Sequence, residues 1–306
     1  MALMNLFGGK DRSAQPADFS DVLRGYSIEV MPRTAEKVED FRQILPPGTL
    51  VYIAHIDGTP IDDMVATAAR LRNEGFPVMP HFPARIIRDA ATLETWIRRY
   101  RDEAGVENAL LLAGGVKEPQ GDFHSSMQLM ETGLFDKHGF RRLHVAGHPE
   151  GNRDIDPDGG TAEVEAALKW KQAFSERTDA EMAIVTQFLF EAEPAIAWAK
   201  ALREAGITLP VHLGIAGPAK LQTMIKFAIA CGVGPSLGVL QKRAKDVTKL
   251  LLPYTPEEFL HGIAAHQRQD PASPIAKIHV FPLGGIKTAA EWMAEHGAEE
   301  AAARAG

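Results

Sequence analysis

Apolar and β-branched residues gather along this chain in eight short runs: "SIEVMP" (27–32), "LVYIAHI" (50–56), "FPVMPHF" (76–82), "ENALLLAGG" (107–115), "LHVAGHPE" (143–150), "MAIVTQFLF" (182–190), "LPVHLGIAG" (209–217) and "IHVFPLGG" (278–285). Longer amphipathic segments separate them. In "PIDDMVATAARLRNEG", Met64, Ala68 and Leu71 fall at helical spacing and Gly75 ends the pattern. "ATLETWIRRYRDEAG", "GTAEVEAALKWKQAF", "EPAIAWAKALREAG", "PAKLQTMIKFAIACG" and "TPEEFLHGIAAHQRQ" read the same way. Runs apolar on both faces, alternating with helices, predict parallel strands covered by helices. Eight such units in 306 residues predict one (β/α)8 TIM barrel spanning residues 1–306, in preference to an open doubly wound sheet. Residues 1–22 read as a loose N-terminal arm, and "AEHGAEEAAARAG" as a fraying helix end. The insertion between the last two runs is the longest and includes "PSLGVLQKRAKDVTKLL".

Composition narrows the class. A hydrophobic content of 45% with 24% charged residues suits a large soluble core. The net charge of −7, with no basic block interleaved with aromatics, argues against a nucleic-acid partner. No apolar run reaches the roughly 20 residues of a membrane span, and "MALMNLFGGKDRS" lacks the basic and apolar regions of a signal peptide. One cysteine, Cys231, allows no internal disulfide, and it reads as a small buried helix residue. A reducing, cytoplasmic compartment is expected. Oligomeric state is not legible.

In a TIM barrel the C-terminal strand ends form the active face. Here they carry Glu29, His55, Asp57, His81, Gly114 and Gly115, then His148, Glu150, Asn152, Gln187, Gly214, Gly217, Gly284 and Gly285. Glu29, inside an apolar strand, is expected to be partly desolvated, its pKa raised, and to act as a general acid; a salt bridge to Arg33 is the plainer alternative. His55, His81 and His148 could ligate zinc or simply line a wall; the spacing is not diagnostic. The glycine pairs allow either close approach of a ligand or tight turns, and "LGGIKTAAEW" could hold a phosphate at a helix N-terminus. Gln187 is an amide inside an apolar strand, which needs a partner. Phe188 and Phe190 beside it read as core, as do Trp96, Trp170, Trp198 and Trp292 on helices; Lys171 reads as a solvated helix lysine.

Five segments together resemble the methylenetetrahydrofolate reductases: "YSIEVMPRT", "VMPHFPAR", "LHVAGHPEGN", "LKWKQAF" followed by "IVTQFLF", and "PVHLGIAGP". They occur in the family's order across roughly residues 26–285. The resemblance implies a barrel that binds FAD and reduces 5,10-methylenetetrahydrofolate to 5-methyltetrahydrofolate with NADH or NADPH. It implies that Glu29 protonates the folate nitrogen, that Gln187 hydrogen-bonds the pterin, and that Gly115 and Phe188 face the substrate. It places His81, Gly114, Ser126, His148, Asn152 and Lys171 on cofactor-binding positions. The chemistry suits the residues, because opening the methylene bridge needs a proton donor beside an apolar pocket.

The chain departs from the family's Leu-Arg-Gly-Asp segment, where it has "LAGG": Ala113 stands for the Arg and Gly115 for the Asp. Ser125 and Ser126 replace a Tyr-Ala pair, His148 a Tyr, and Asn152 a His. An Arg that could pair a pyrophosphate and an anion beside the flavin ring are therefore absent. If FAD is bound, loss of that anion is expected to raise its reduction potential and favour methyltetrahydrofolate oxidation. A flavin-free reductase or methyl-transfer barrel, and a metal-dependent hydrolase using His55, Asp57, His81 and His148, remain the alternatives. No G-x-G-x-x-G follows a strand, so a Rossmann domain for the nicotinamide dinucleotide is not expected.

Overall fold

Each of the eight runs forms a strand: β1 (Ser27–Val30), β2 (Leu50–Ile53), β3 (Val78–Pro83), β4 (Asn108–Leu112), β5 (Arg142–Gly147), β6 (Glu181–Leu189), β7 (Val211–Ala216) and β8 (Ile275–Phe281). All pair in parallel with their sequence neighbours, and β1 pairs with β8 to close the barrel. The chain is a (β/α)8 TIM barrel. This computed structural model describes residues 18–230, 238, 240 and 253–297. Cys231, most of "PSLGVLQKRAKDVTKLL", residues 1–17 of the arm and the tail beyond Gly297 lie outside the described residues. Within the arm's last residues, Ser20–Leu23 form a 3-10 turn with Val22 and Leu23 buried, and Phe19 stacks on Trp292. Among the described residues, no helix is long and apolar enough to cross a membrane.

The helices follow local rules. Helix α2 (Ile61–Asn73) buries Met64, Val65, Ala68 and Leu71 and ends before Gly75, whose φ of +93° suits only glycine. Helix α3 (Ala90–Ala104) starts where Asp89 accepts from Thr92 N at 2.7 Å and stops at Gly105, with φ +58°. An N-cap of this kind stabilises a helix by about 1 kcal/mol. The main core lies between strands and helices and includes Ile28, Val51, Ile53, Phe82, Leu111 and Ile278.

The inside of the barrel is different. Strand residues alternate inward and outward, and the inward set has a small apolar cluster of Tyr52, Met79, Leu110 and Val185. The rest is polar. Ser27 Oγ lies 2.9 Å from His279 Nδ1, and Tyr52 OH lies 2.5 Å from His144 Nδ1. The His144 and His212 rings meet edge to face with centroids 4.8 Å apart. Ser27, His144, His212 and His279 are all buried. Burial holds the His144 imidazole well below its ordinary pKa, with the charges of His212, Arg142, His279 and Lys277 adding to the effect. It pushes His212 down to about 3, helped by Lys277 and His279.

These imidazoles are neutral in the folded protein, whereas the unfolded chain protonates them around the ordinary value of 6.5. Below that pH the unfolded state binds more protons, so stability is full above it and falls as pH drops toward 3. Each imidazole contributes a slope of up to about 1.4 kcal/mol per pH unit in that window. Thermal melts across the acid range are expected to show a steep loss of stability, and His212→Gln is expected to flatten the slope. An unchanged slope in that variant would show that His212 is not buried neutral.

Candidate active site at the barrel mouth

A cavity of about 890 Å³ opens where the strands end. On its wall Glu29 projects from the end of β1 with its side chain 18% exposed. Its Oε2 lies 3.2 Å from His81 Nε2 on β3 and 3.8 Å from His279 Nε2 on β8. Register explains the meeting, because Ser27, two residues before Glu29 and on the same face, pairs with His279, and the strand tilt carries β3 up to Glu29. Arg33 is exposed and forms no pair with Glu29. The expected rise in the Glu29 pKa is overturned. Burial does push it up, but His81 and His279 together outweigh burial and hold the carboxyl down to about 2. Glu29 is therefore a carboxylate at neutral pH.

Gln187 owes its position to an irregularity. Strand β6 shifts register against β7 between Val185 and Phe188. Thr186 bridges the gap, donating to Gln187 O at 2.8 Å and accepting from Gly214 N at 2.9 Å. A Cβ on Gly214 would sit 2.5 Å from Gln187 O, so the bulge explains why this strand position is glycine. The side chain of Gln187 lines the cavity, and its buried Oε1 has no hydrogen-bond partner. Beside it, Phe188 and Phe281 form an aromatic wall with centroids 5.5 Å apart, and Phe281 packs edge to face on His279 at 4.8 Å. Phe188 thus serves both as core and as cavity wall.

The β4 and β5 ends form the opposite wall. Gly114 and Gly115 line it, and Gly114 has φ +99° with Pro83 Cβ only 3.0 Å from where its own Cβ would be. In "LHVAGHPEGNRD", the cavity receives His148, Glu150, Asn152 and Asp154. Asn152 Nδ2 lies 3.4 Å from His148 Nδ1, and Asn152 Oδ1 accepts from Asp154 N at 2.9 Å. Burial, aided by Lys171, pushes His148 down to about 4. Lys171 is not solvated as expected. It is buried in α6 (Ala162–Ser175), donates from Nζ to Ala146 O at 2.8 Å, and is pushed down to about 8 by burial. It props the end of β5 from behind and does not line the cavity. Ser126, buried in α4 (Ser126–Glu131), does not line it either.

Other expected residues have local roles. His55 lines the cavity, but its Nε2 contacts Thr59 O at 3.0 Å and its ring packs on Trp96 at 4.9 Å. Asp57 accepts from Gln120 Nε2 at 3.0 Å. Among the described residues, no three His, Cys, Asp or Glu side chains converge to hold a metal. Gly217 and Gly284 make room for Ala289 and for Pro218 O, and neither lines the cavity. Gly285 does, at the N-terminus of the helix Ile286–Glu295, but its amide is spent on Pro282 O at 2.9 Å.

The walls can be tested for a flavin dinucleotide, whose pyrophosphate needs cationic or amide partners. Of the six positions assigned to the cofactor, His81 is engaged with Glu29, while Ser126 and Lys171 lie off the cavity. Among the described lining residues the only cations are Lys37 and Lys287, both exposed, and Asp57, Glu150 and Asp154 line the cavity beside them. Arg85, the nearest replacement for the missing Arg, is held by Asp154 and by the carbonyls of Val116 and His124. The described residues do not fit FAD.

Sequence reading did not single out His279, Phe281, Tyr52, Ser27, His144 or His212. The signal was present as a polar residue at the inward position of one apolar strand after another, which becomes informative once the strands are known to share one interior.

No protein-family model matches the chain. Among solved structures, it is similar to an uncharacterized protein from Clostridium thermocellum that binds two copies of 5-methyl-5,6,7,8-tetrahydrofolic acid. The TM-score is 0.58 at 9% identity, covering 94% of this chain and 98% of that one. It also matches, at a TM-score of 0.42 and 14% identity over 94% of this chain and 96% of that one, Yersinia pestis DHPS with a pterine-sulfa conjugate, a likeness too loose to carry an argument. The first of these likenesses shows the barrel fold.

Proposed function

We propose that this barrel binds a reduced folate in the mouth cavity and interconverts 5,10-methylenetetrahydrofolate and 5-methyltetrahydrofolate, with hydride coming directly from NADH or NADPH. The observation that carries the proposal is that the Glu29 carboxylate, 3.2 Å from His81 Nε2, and the unpartnered amide oxygen of Gln187 line one cavity. The pterin's N–H edge supplies what that oxygen lacks. The Clostridium neighbour, whose ligand is 5-methyltetrahydrofolate, supports the choice of ligand. The resemblance in "YSIEVMPRT" and "IVTQFLF" supports the choice of reaction.

The mechanism assigns each group one task. Gln187 orients the pterin, and Phe188 with Phe281 gives its flat ring an apolar wall that excludes water. The Glu29–His81 couple delivers a proton to N10 of the bridge, opening it to the N5-iminium. Hydride from the nicotinamide then reduces the methylene carbon to methyl. Methylenetetrahydrofolate, NAD(P)H and one proton are consumed, and methyltetrahydrofolate and NAD(P)+ are formed. Because the carboxylate itself titrates only near 2, activity changes across the neutral range are not expected to follow Glu29.

Glu29→Gln is expected to lower kcat by about a hundredfold or more while methyltetrahydrofolate affinity is largely kept, measured by NAD(P)H oxidation and by calorimetry. Equal activity in that variant would remove Glu29 from the chemistry. Gln187→Ala is expected to raise the folate KM about tenfold with little change in kcat, the loss of one hydrogen bond. Wild-type KM would place the pterin elsewhere. Turnover is expected without added flavin. Stoichiometric FAD in the active protein would contradict direct hydride transfer, and folate binding without NAD(P)H oxidation would favour methyl transfer.

A further inference from the structure

Resting on the folate reading above, we propose that the cavity wall formed by Gly114, Gly115, His148 and Asn152 seats the nicotinamide ring of NADH or NADPH, so that both substrates occupy the mouth together. The wall lies at the ends of β4 and β5, across the closed barrel from β8 and β1, which carry Phe281 and Glu29. At about 890 Å³ the cavity is near the top of the range for a single drug-sized ligand, roughly 300–1,000 Å³. A pterin against Phe188 and Phe281 does not use the far wall. Direct hydride transfer requires a second flat ring on that side, its reacting carbon about 3–3.5 Å from the acceptor. The C4–H bond of the nicotinamide breaks with its electron pair, which goes to the methylene carbon; the coenzyme is oxidised and the iminium reduced.

The wall carries one donor whose direction follows from its neighbours. Asp154 N is a backbone donor, so the Asn152 atom it meets at 2.9 Å is the acceptor Oδ1. That assignment turns Asn152 Nδ2, which can only donate, toward His148 Nδ1 at 3.4 Å. Nδ1 is therefore the bare nitrogen, and the hydrogen of the neutral imidazole is on Nε2. Burial, aided by Lys171, keeps the ring neutral by holding it at about 4. Among the described residues Nε2 meets no hydrogen-bond partner, and it is not sealed from solvent. Because His148 lines the cavity, this N–H is a free donor there. A nicotinamide carboxamide offers the matching carbonyl oxygen, and a neutral donor does not repel the positive ring that forms when hydride leaves.

Gly115 supplies a second, independent observation. A Cβ there would meet nothing within 4 Å, and its φ lies outside the left-handed range that favours glycine. Neither packing nor backbone calls for glycine, yet the residue lines the cavity. The missing side chain leaves room for a ring to lie close to the backbone. Glu150 and Asp154, the charged residues lining the same wall, are both acidic, so an uncharged ring suits it better than the phosphates of the dinucleotide.

The test is calorimetric binding of NADH, NADPH and 5-methyltetrahydrofolate to the full chain. His148→Ala is expected to weaken the preferred coenzyme about tenfold and to leave the folate Kd unchanged. His148→Gln, whose amide N–H can take the place of Nε2–H, is expected to keep most of the affinity. Gly115→Leu, whose side chain enters open space, is expected to weaken the coenzyme by about tenfold or more, and it serves as the check should the His148 variants fold poorly. Folate is expected to bind in the presence of saturating coenzyme. Asn152 acts through His148 and is a positioning residue. Nitrogen-15 spectra are expected to show the Nε2–H tautomer of His148 in the native protein and a mixture of tautomers in Asn152→Ala. Five results would overturn the proposal: native coenzyme affinity in both His148→Ala and Gly115→Leu, loss of folate affinity in place of coenzyme affinity, mutual exclusion of the two ligands, no coenzyme binding by the wild-type protein, or an Nδ1–H tautomer of His148. Coenzyme binding that depends on His148 in a protein that binds no folate would instead overturn the folate reading and leave the nicotinamide seat standing.

Discussion

The site depends on one carboxylate lodged between two imidazoles. Glu29 is nearly buried at the end of a short strand, where burial alone would neutralise it. His81 and His279 reverse that outcome and keep Glu29 charged. The two imidazoles are not equivalent. His279 is fully buried and tied through Nδ1 to Ser27, which fixes the face it turns to Glu29. His81 reaches Glu29 from the cavity wall and is the partner next to any bound ligand. Removing either would leave a buried charge short of a partner, which costs more than an ordinary hydrogen bond.

The barrel supplies this arrangement through register rather than through any one motif. Ser27 and Glu29 point inward two residues apart on β1, and β8 sets His279 alongside Ser27. The bulge in β6 then turns Gln187 into the cavity, at the cost of requiring glycine at 214 on the neighbouring strand. The acid group on β1 thus comes from a different strand than the orienting amide, which shares β6 with Phe188 of the aromatic wall, and each is rigid because a strand holds it.

Much of this was legible beforehand. Eight apolar runs separated by amphipathic segments describe a TIM barrel, and helix stops at Gly75 and Gly105 fall where turn chemistry puts them. Glu29, Gln187, Gly114, Gly115, His148 and Asn152 do meet in one cavity. The direction of the Glu29 shift was not legible, because it depends on histidines 52 and 250 positions away in sequence, brought near only by closure of the barrel. Lys171 misled because helical periodicity does not tell a solvated face from one pressed against a strand end. The polar residues inside the barrel escaped notice because they are single residues on five strands, each unremarkable in its own run.

A crystal structure with 5-methyltetrahydrofolate tests the central claim most directly. The account predicts the pterin against Phe188 and Phe281, a ring N–H within hydrogen-bond distance of Gln187 Oε1, and the N5–N10 edge turned toward Glu29 and His81. A folate bound away from Glu29, or with Gln187 still unpartnered, would contradict it.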